Sequence, residues 1–367
     1  MVVGNAESWK ARTGVHGEFV ALARRRLVLP VAIFALDLAL YGAGVFGAVA
    51  ATDLRIKFAL SVLAGVAVSL LGIVAHDAVH RSFTSSRWLN RVIGTVAFLP
   101  ALHPYSRWEH HHNRVHHHFT AQLGVDNAYP PMTIENYTSA SWLTRVLYRW
   151  KRSLAGQAFY YFFDIWLPKM FLPVRRERES FRAADWVDVV TVQGWLLAFV
   201  TALTLWLHLE THRTWTDALL DAATFGFLVP FLVWNVFISF VTIVQHTGPE
   251  VRWITARGRP STPSETMRGT VHVILPEPLD WLFHRVMQHP AHHVHSGIPL
   301  YALKKAEQEL GTRRTDAPVL ARWTPLYHWR LARDCKLYDP DRDVWCNFAL
   351  ETTSLIDHGS KVGPAAN

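Results

Sequence analysis

Residues 56–80 read IKFALSVLAGVAVSLLGIVAHDAVH. An almost unbroken apolar run from 56 to 75 leads straight into two histidines, His76 and His80. A helix of roughly 20 apolar residues crosses the hydrocarbon core of a bilayer, and residues four apart on a helix share one face. The stretch therefore predicts a membrane span that delivers two imidazoles together at its end.

Three further segments are long and apolar enough to span. They are 27–51 (LVLPVAIFALDLALYGAGVFGAVAA), 187–208 (VDVVTVQGWLLAFVTALTLWLH) and 218–245 (ending VWNVFISFVTIVQ). A few residues join the first two spans, and LETHRTWTD joins the last two, so each pair is expected to be a hairpin returning to its starting side. Arg24, Arg25 and Arg26 precede the first span, and Arg107, Arg114, Arg149, Lys151, Arg152, Arg175 and Arg176 lie between the hairpins. The segment after 246 is also rich in Arg, so the positive-inside bias places both termini and the middle segment in the cytoplasm. The runs RVIGTVAFLPAL (91–102) and GQAFYYFFDIWLPKMFLP (156–173) are shorter or interrupted, and are expected to be interfacial helices. The chain divides into a cytoplasmic segment 1–26, a body 27–310 and a cytoplasmic tail 311–367. Asp37, inside the first span, either hydrogen-bonds within the bundle or lines a cavity.

The composition agrees with this. Half of the 367 residues are hydrophobic, concentrated in a few long runs. The net charge of +8 is scattered between those runs rather than gathered on one soluble module, which argues against nucleic acid and for an anionic membrane face. Cys335 and Cys346 are too few for a disulfide framework and form no CxxC pair. No signal-peptide pattern precedes the first span, and with no eukaryotic transit or retention signal a bacterial plasma membrane is expected.

The chain holds 21 histidines, and four clusters of them fall on the same predicted side of the membrane. HDAVH (76–80) ends the second span, HHHNRVHHH (110–118) lies in the middle segment, VQHTGP (244–249) ends the fourth span, and HPAHHVH (289–295) follows. His76 and His80 are four apart; His289, His292 and His293 combine spacings of three and four; His112, His116 and His117 give four and five. With His246 these make nine imidazoles. In the middle cluster, His110, His111 and His118 could substitute in register. One zinc takes three or four ligands, whereas eight or nine suit two metals.

At these residues the sequence resembles the membrane fatty acid desaturases, in the acyl-lipid, delta-12-like branch. The three histidine boxes of that family read here HDAVH, HNRVHH and HPAHH, with the extra histidine in VQHTGP. The likeness extends through HDAVHRSFTSSRWLNRVIG, YSRW, HHHFT, VDNAYP and WLFHRVMQHPAHHVHSGIPLYALKKA. The resemblance implies an all-α integral membrane protein, with a cytoplasmic helical cap carrying a histidine-rich dimetal site. It implies His76, His80, His112, His116, His117, His289, His292 and His293 as ligands of two iron ions, with His246 a ninth. Asp77 and Asp126 are candidate acceptors that fix imidazole tautomers. His284 is a further candidate at the site, as a ligand or an orienting residue, while Arg107 and Trp108 pack beside it.

A methylene C–H offers no acidic proton and no leaving group, so its oxidation calls for iron and O2, which imidazole ligands can support. The expected activity is O2-dependent desaturation that introduces a cis double bond into a fatty acyl chain carried on lipid, CoA or a carrier protein. The same site could equally serve a hydroxylase, ketolase or acetylenase. A zinc membrane hydrolase would need HExxH, and HDAVH has Asp in that place. No HPGG motif of a fused cytochrome b5 occurs, so the electrons are expected from an external donor such as ferredoxin, meeting the basic cytoplasmic face. The charges of KKAEQELGTRRT read first as a solvated face and only second as part of that docking surface.

Overall fold

The computed structural model describes residues 16–255, 259–312 and 318–354. Most of the expected N-terminal segment and the last residues of the expected tail lie outside the described residues, as do the final three residues of KKAEQELGTRRT.

Four long apolar helices organise the chain. Helix α1 (Val28–Ala50) and helix α2 (Leu54–Val79) are separated by three residues, of which Asp53 caps α2 by accepting from the backbone N–H of Arg55 at 2.8 Å. Helix α3 (Arg87–Phe98) lies outside the spans and packs on α2. Helix α4 (Tyr105–Glu109) continues as a π-helix over His110–His116. Helix α5 (Ala183–Thr211) is the third span. The fourth starts as α6 (Trp215–Asp221), loosens into a π-helical turn (Ala222–Leu228), and finishes as α7 (Val229–His246). The expected spans therefore lengthen by a turn or less at most ends, because the flanking polar residues still satisfy the helical ladder.

Helix α2 is the centre of the bundle. Two-thirds of its most apolar window is buried, against about a quarter of that of α1 and of α5, whose exposed Leu36, Phe46, Val190 and Leu197 make an apolar outer face. A soluble protein would not expose that surface; a bilayer covers it. Glycines let the neighbours close on α2: a Cβ on Gly44 would stand 3.0 Å from Ala64, and one on Gly65 would stand 2.8 Å from the Pro230 carbonyl. At the end of α2 opposite the histidines, Lys57 pairs with Asp221 at 2.5 Å, and Arg213 donates to the carbonyls of Val49 and Ala51.

The two runs read as interfacial are not of span length among the described residues. One forms α3, with Trp88 exposed and Ile93 buried; the other contributes a π-helix over Phe162–Phe171. The all-α expectation needs one correction. Seven short strands form three small sheets among the described residues, because the connecting segments pair their backbone groups with one another where no helix satisfies them. Val271–Ile274 pairs in parallel with Val319–Arg322, and Met132–Thr133 with Leu337–Asp339, so the described part of 311–367 is stitched onto the body. Cys335 and Cys346 are free and buried there.

Candidate metal centre

The last turn of α2 carries His76, and His80 caps its end. Helix α7 ends on His246. Helix α8 (His289–Val294), with Pro290 in its first turn, carries His289, His292 and His293. The π-helix carries His112 and His116, and its backbone bond from His117 N–H to the His112 carbonyl closes one wide turn. A π-turn takes more residues than an α-turn, so positions five apart come to one face, and His112 and His117 meet with their Nε2 atoms 3.1 Å apart.

The nine imidazoles fall into two groups. His76, His80, His112, His117 and His292 form one; His116, His246, His289 and His293 form the other; within each group the nitrogens lie within 4.8 Å of one another. The groups abut, with His117 stacked on His293 at 4.3 Å and 16°. Nε2 faces Nε2 at 3.1 Å between His116 and His293, 2.8 Å between His289 and His246, and 3.1 Å between His292 and His117.

The far edges of several rings are tethered. His116 Nδ1 donates to Asp126 at 2.9 Å, His246 Nδ1 to the Gly269 carbonyl at 3.1 Å, and His76 Nδ1 approaches Asp77 at 3.3 Å. His293 Nδ1 lies 3.3 Å from the Thr120 hydroxyl, whose own hydrogen goes to the His116 carbonyl. Asp126 also accepts from the backbone N–H of Ala121 and Ala128, and Asp77 from that of Leu300 at 2.6 Å. A proton fixed on Nδ1 leaves Nε2 as a bare lone pair.

Burial first, and neighbouring imidazoles second, hold His80, His112, His117, His289, His292 and His293 well below the usual histidine range. The rings are neutral at pH 7. Two neutral imidazoles meeting Nε2 to Nε2 near 3 Å either share one proton or hold a cation between them. The donor set is all imidazole, which suits borderline transition metals and does not suit magnesium or calcium. The residues fit a pair of such ions.

The remaining candidates stand outside these groups. His118 Nδ1 turns back to the Asn113 carbonyl at 2.7 Å, and His111 sits between Arg107 and Glu177, each 3.1 Å from its Nε2. His110 packs against His111. His284 meets Asp37 at 2.8 Å, joining the loop before α8 to the first span. Trp108 lies flat on His112 at 4.2 Å and 22°. The Gly269 carbonyl and Thr120 escaped the sequence reading, since a backbone acceptor and a lone threonine leave no pattern; so did His103, whose partner Tyr161 is 58 residues away.

A largely apolar cavity opens beside the two groups. Its walls include Gly72, Ile73, Phe98, Trp108, Tyr161, Ile165, Trp234 and Phe237, and its head is formed by His76, His112, His116, His246, His289 and His292. Span-length helices, a polyhistidine cluster that could hold metal and an apolar cavity beside it describe a membrane protein with a candidate metal centre.

The comparisons agree. The family model described as fatty acid desaturase matches residues 55–325, which include every histidine of both groups. The sn-1 oleoyl-lipid 12-desaturase of Synechocystis sp. is 28% identical over 288 residues, covering 76% of this chain and 74% of its own. The enzyme of the same description from Picosynechococcus sp. is 28% identical over 293 residues, covering 77% and 76%. The chloroplastic omega-6 fatty acid desaturase of Glycine max is 27% identical over 299 residues, 77% of this chain but 62% of its own. The chain belongs to the fatty acid desaturase family. It is a membrane-bound oxidoreductase of fatty acid metabolism.

Proposed function

We propose that this enzyme desaturates a lipid-borne acyl chain at two irons held by His76, His80, His112, His117 and His292 on one side and His116, His246, His289 and His293 on the other. The observation that carries the reading is the meeting of nine imidazoles at the head of an apolar cavity. Two irons held there would supply, with O2, the oxidising power that a methylene C–H requires. One O2, two electrons and two protons are consumed per cis double bond, and two waters leave.

The chain's own residues do the rest. Asp126, Thr120 and the Gly269 carbonyl aim lone pairs inward, and Asp77 ties the end of α2 to the Leu300 backbone. Phe98, Trp108, Ile165 and Trp234 keep water from the chain. How far the acyl chain descends past Ile73 and Gly72 decides which carbons reach the histidines. The names of the relatives, which act on oleoyl lipids, favour attack in the middle of the chain.

The same reading extends to topology. The Arg213 bonds to Val49 and Ala51 bring both short joints to one end of the bundle, which supports two hairpins with the termini, the cap and the histidines on the cytoplasmic side of a bacterial plasma membrane. The body is then 27–310, with 1–26 and 311–367 on the same side. A small acidic carrier such as ferredoxin, docking on the basic cytoplasmic face, supplies the electrons.

Lipid profiling of cells expressing the wild type and His116→Ala tests this. Expected is a new species two hydrogens lighter in the wild type only, with iron in the purified protein. Identical products from both, or a product bearing an added oxygen, would overturn it.

A further inference from the structure

Tyr161, which lines the cavity, and its partner His103 form a polar pair that the desaturation reading leaves unused. His103 is buried, and its Nδ1 lies 2.6 Å from the Ala101 carbonyl. A carbonyl only accepts, so the ring proton is on Nδ1, and Nε2 is a lone pair receiving the Tyr161 hydroxyl at 2.9 Å. Tyr161 is anchored by its backbone N–H to Ser239 of α7. A phenylalanine would line an apolar cavity as well, without a hydroxyl to satisfy.

Tyr161 and Trp108 line the same cavity. Burial pushes the Tyr161 phenol well above its usual range. Trp108 in turn stacks on His112. Ring contacts lead from His112 through Trp108, Phe98 and His103 to Tyr161, whose phenol proton goes to His103, a histidine that burial keeps neutral with a pKa of about 4.

We propose that Tyr161, Trp108 and His103 form a one-electron relay that drains oxidising equivalents from the metal centre when no acyl chain is in place. The proposal rests on the iron and O2 reading above. Tyr161 gives up one electron through the Trp108 indole to the O2-oxidised metal centre, and its phenolic O–H bond breaks as the proton passes to His103 Nε2. An electron from the external donor later reduces the phenoxyl, and the proton returns from His103. The proton shift is what makes the oxidation accessible, because a phenol held protonated by its surroundings is hard to oxidise unless it loses the proton in the same step.

The full-length, iron-loaded protein in detergent, labelled with ring-deuterated tyrosine, is reduced, mixed with O2 without acyl lipid, and freeze-quenched for electron paramagnetic resonance. A portion receives acyl lipid and is assayed for double bonds. Expected is a tyrosine radical whose spectrum narrows with the label, absent in Tyr161→Phe, several-fold weaker in Trp108→Phe, and slower to form in His103→Gln or in D2O. Iron content and melting temperature of each variant confirm an intact site. A wild type that forms product but no tyrosine radical, or a radical unchanged in Tyr161→Phe, overturns the relay and leaves the desaturase reading standing. A wild type that forms no iron-dependent product overturns that reading, and the relay falls with its oxidant.

Discussion

Asp126 holds the Nδ1 edge of His116 at 2.9 Å while the opposite edge of the same ring faces His293. Although burial alone would push the Asp126 carboxyl up, the adjacent His116 ring and the Ala121 N–H keep it below the usual range, so it stays ionised. Replacing it by asparagine preserves shape but leaves a weaker acceptor that can turn a donor toward the ring. Asp126→Asn is expected to weaken metal binding by roughly 10–100-fold, the usual effect of losing a carboxylate behind a metal-ligating histidine. Metal titration of the purified variant measures it; unchanged affinity would show that His116 keeps its orientation unaided.

Adjacent histidines of the middle cluster should behave oppositely. His117 lies among four other rings, whereas His118 bonds the Asn113 carbonyl. His117→Ala should abolish product and lower the iron content, while His118→Ala should leave both near wild type. Expression in a host whose lipids are profiled by mass spectrometry, with metal analysis of the same preparations, gives both readouts. Equal losses in the two variants would contradict the register.

The spans and two of the three histidine boxes were readable because their physics is periodic. Twenty apolar residues announce a span, and spacings of three and four on α2 and α8 put His76, His80, His289, His292 and His293 on shared faces. The middle cluster was not, since six histidines in nine residues fit several registers. The π-helix chooses among them, and such a turn is set by tertiary packing rather than local propensity. Asp77 and Asp126 stand out as candidate acceptors in the sequence, but their partners do not: the tethers to Asp126, Gly269 and Leu300 join residues 10, 23 and 223 positions apart, and the small sheets likewise pair strands from distant segments.

The Asp37–His284 contact invites a double-mutant cycle. Asp37 is buried in the first span, and His284 sits at a positive φ of 49°, a backbone conformation that a β-branched residue would strain. Asp37→Asn and His284→Gln should each lower stability by about 1–3 kcal/mol, and the double variant by less than the sum. Thermal unfolding in a fixed detergent reads the coupling. Additive losses would mean that the two side chains do not support each other.

Stripping the metal should leave the imidazoles confronting one another across about 3 Å. The apoprotein is then expected to melt lower, and iron(II) to restore the melting temperature, since a ligand at 100 times its dissociation constant adds about 2.7 kcal/mol. Zinc should restore the melting temperature but not product formation, because it has no redox chemistry. Zinc-supported double-bond formation would remove iron from the account.

Gly72 offers a way to read the depth of the cavity. A Cβ at this position would stand 2.5 Å from Cζ3 of Trp234, closer than the two can coexist, and both residues line the cavity below His76. Trp234 also meets the rings of His103 and Tyr161, which limits where it can move, so Gly72→Ala is expected to shift the indole into the space meant for the chain. The variant should lose activity on long acyl chains more than on short ones, or move the new bond along the chain. Adding Trp234→Leu should relieve the clash and return the wild-type pattern. Chain-length profiling and location of the double bond by mass spectrometry decide it. If Gly72→Ala reproduces the wild-type products, the acyl chain does not pass between α2 and α7 at this level.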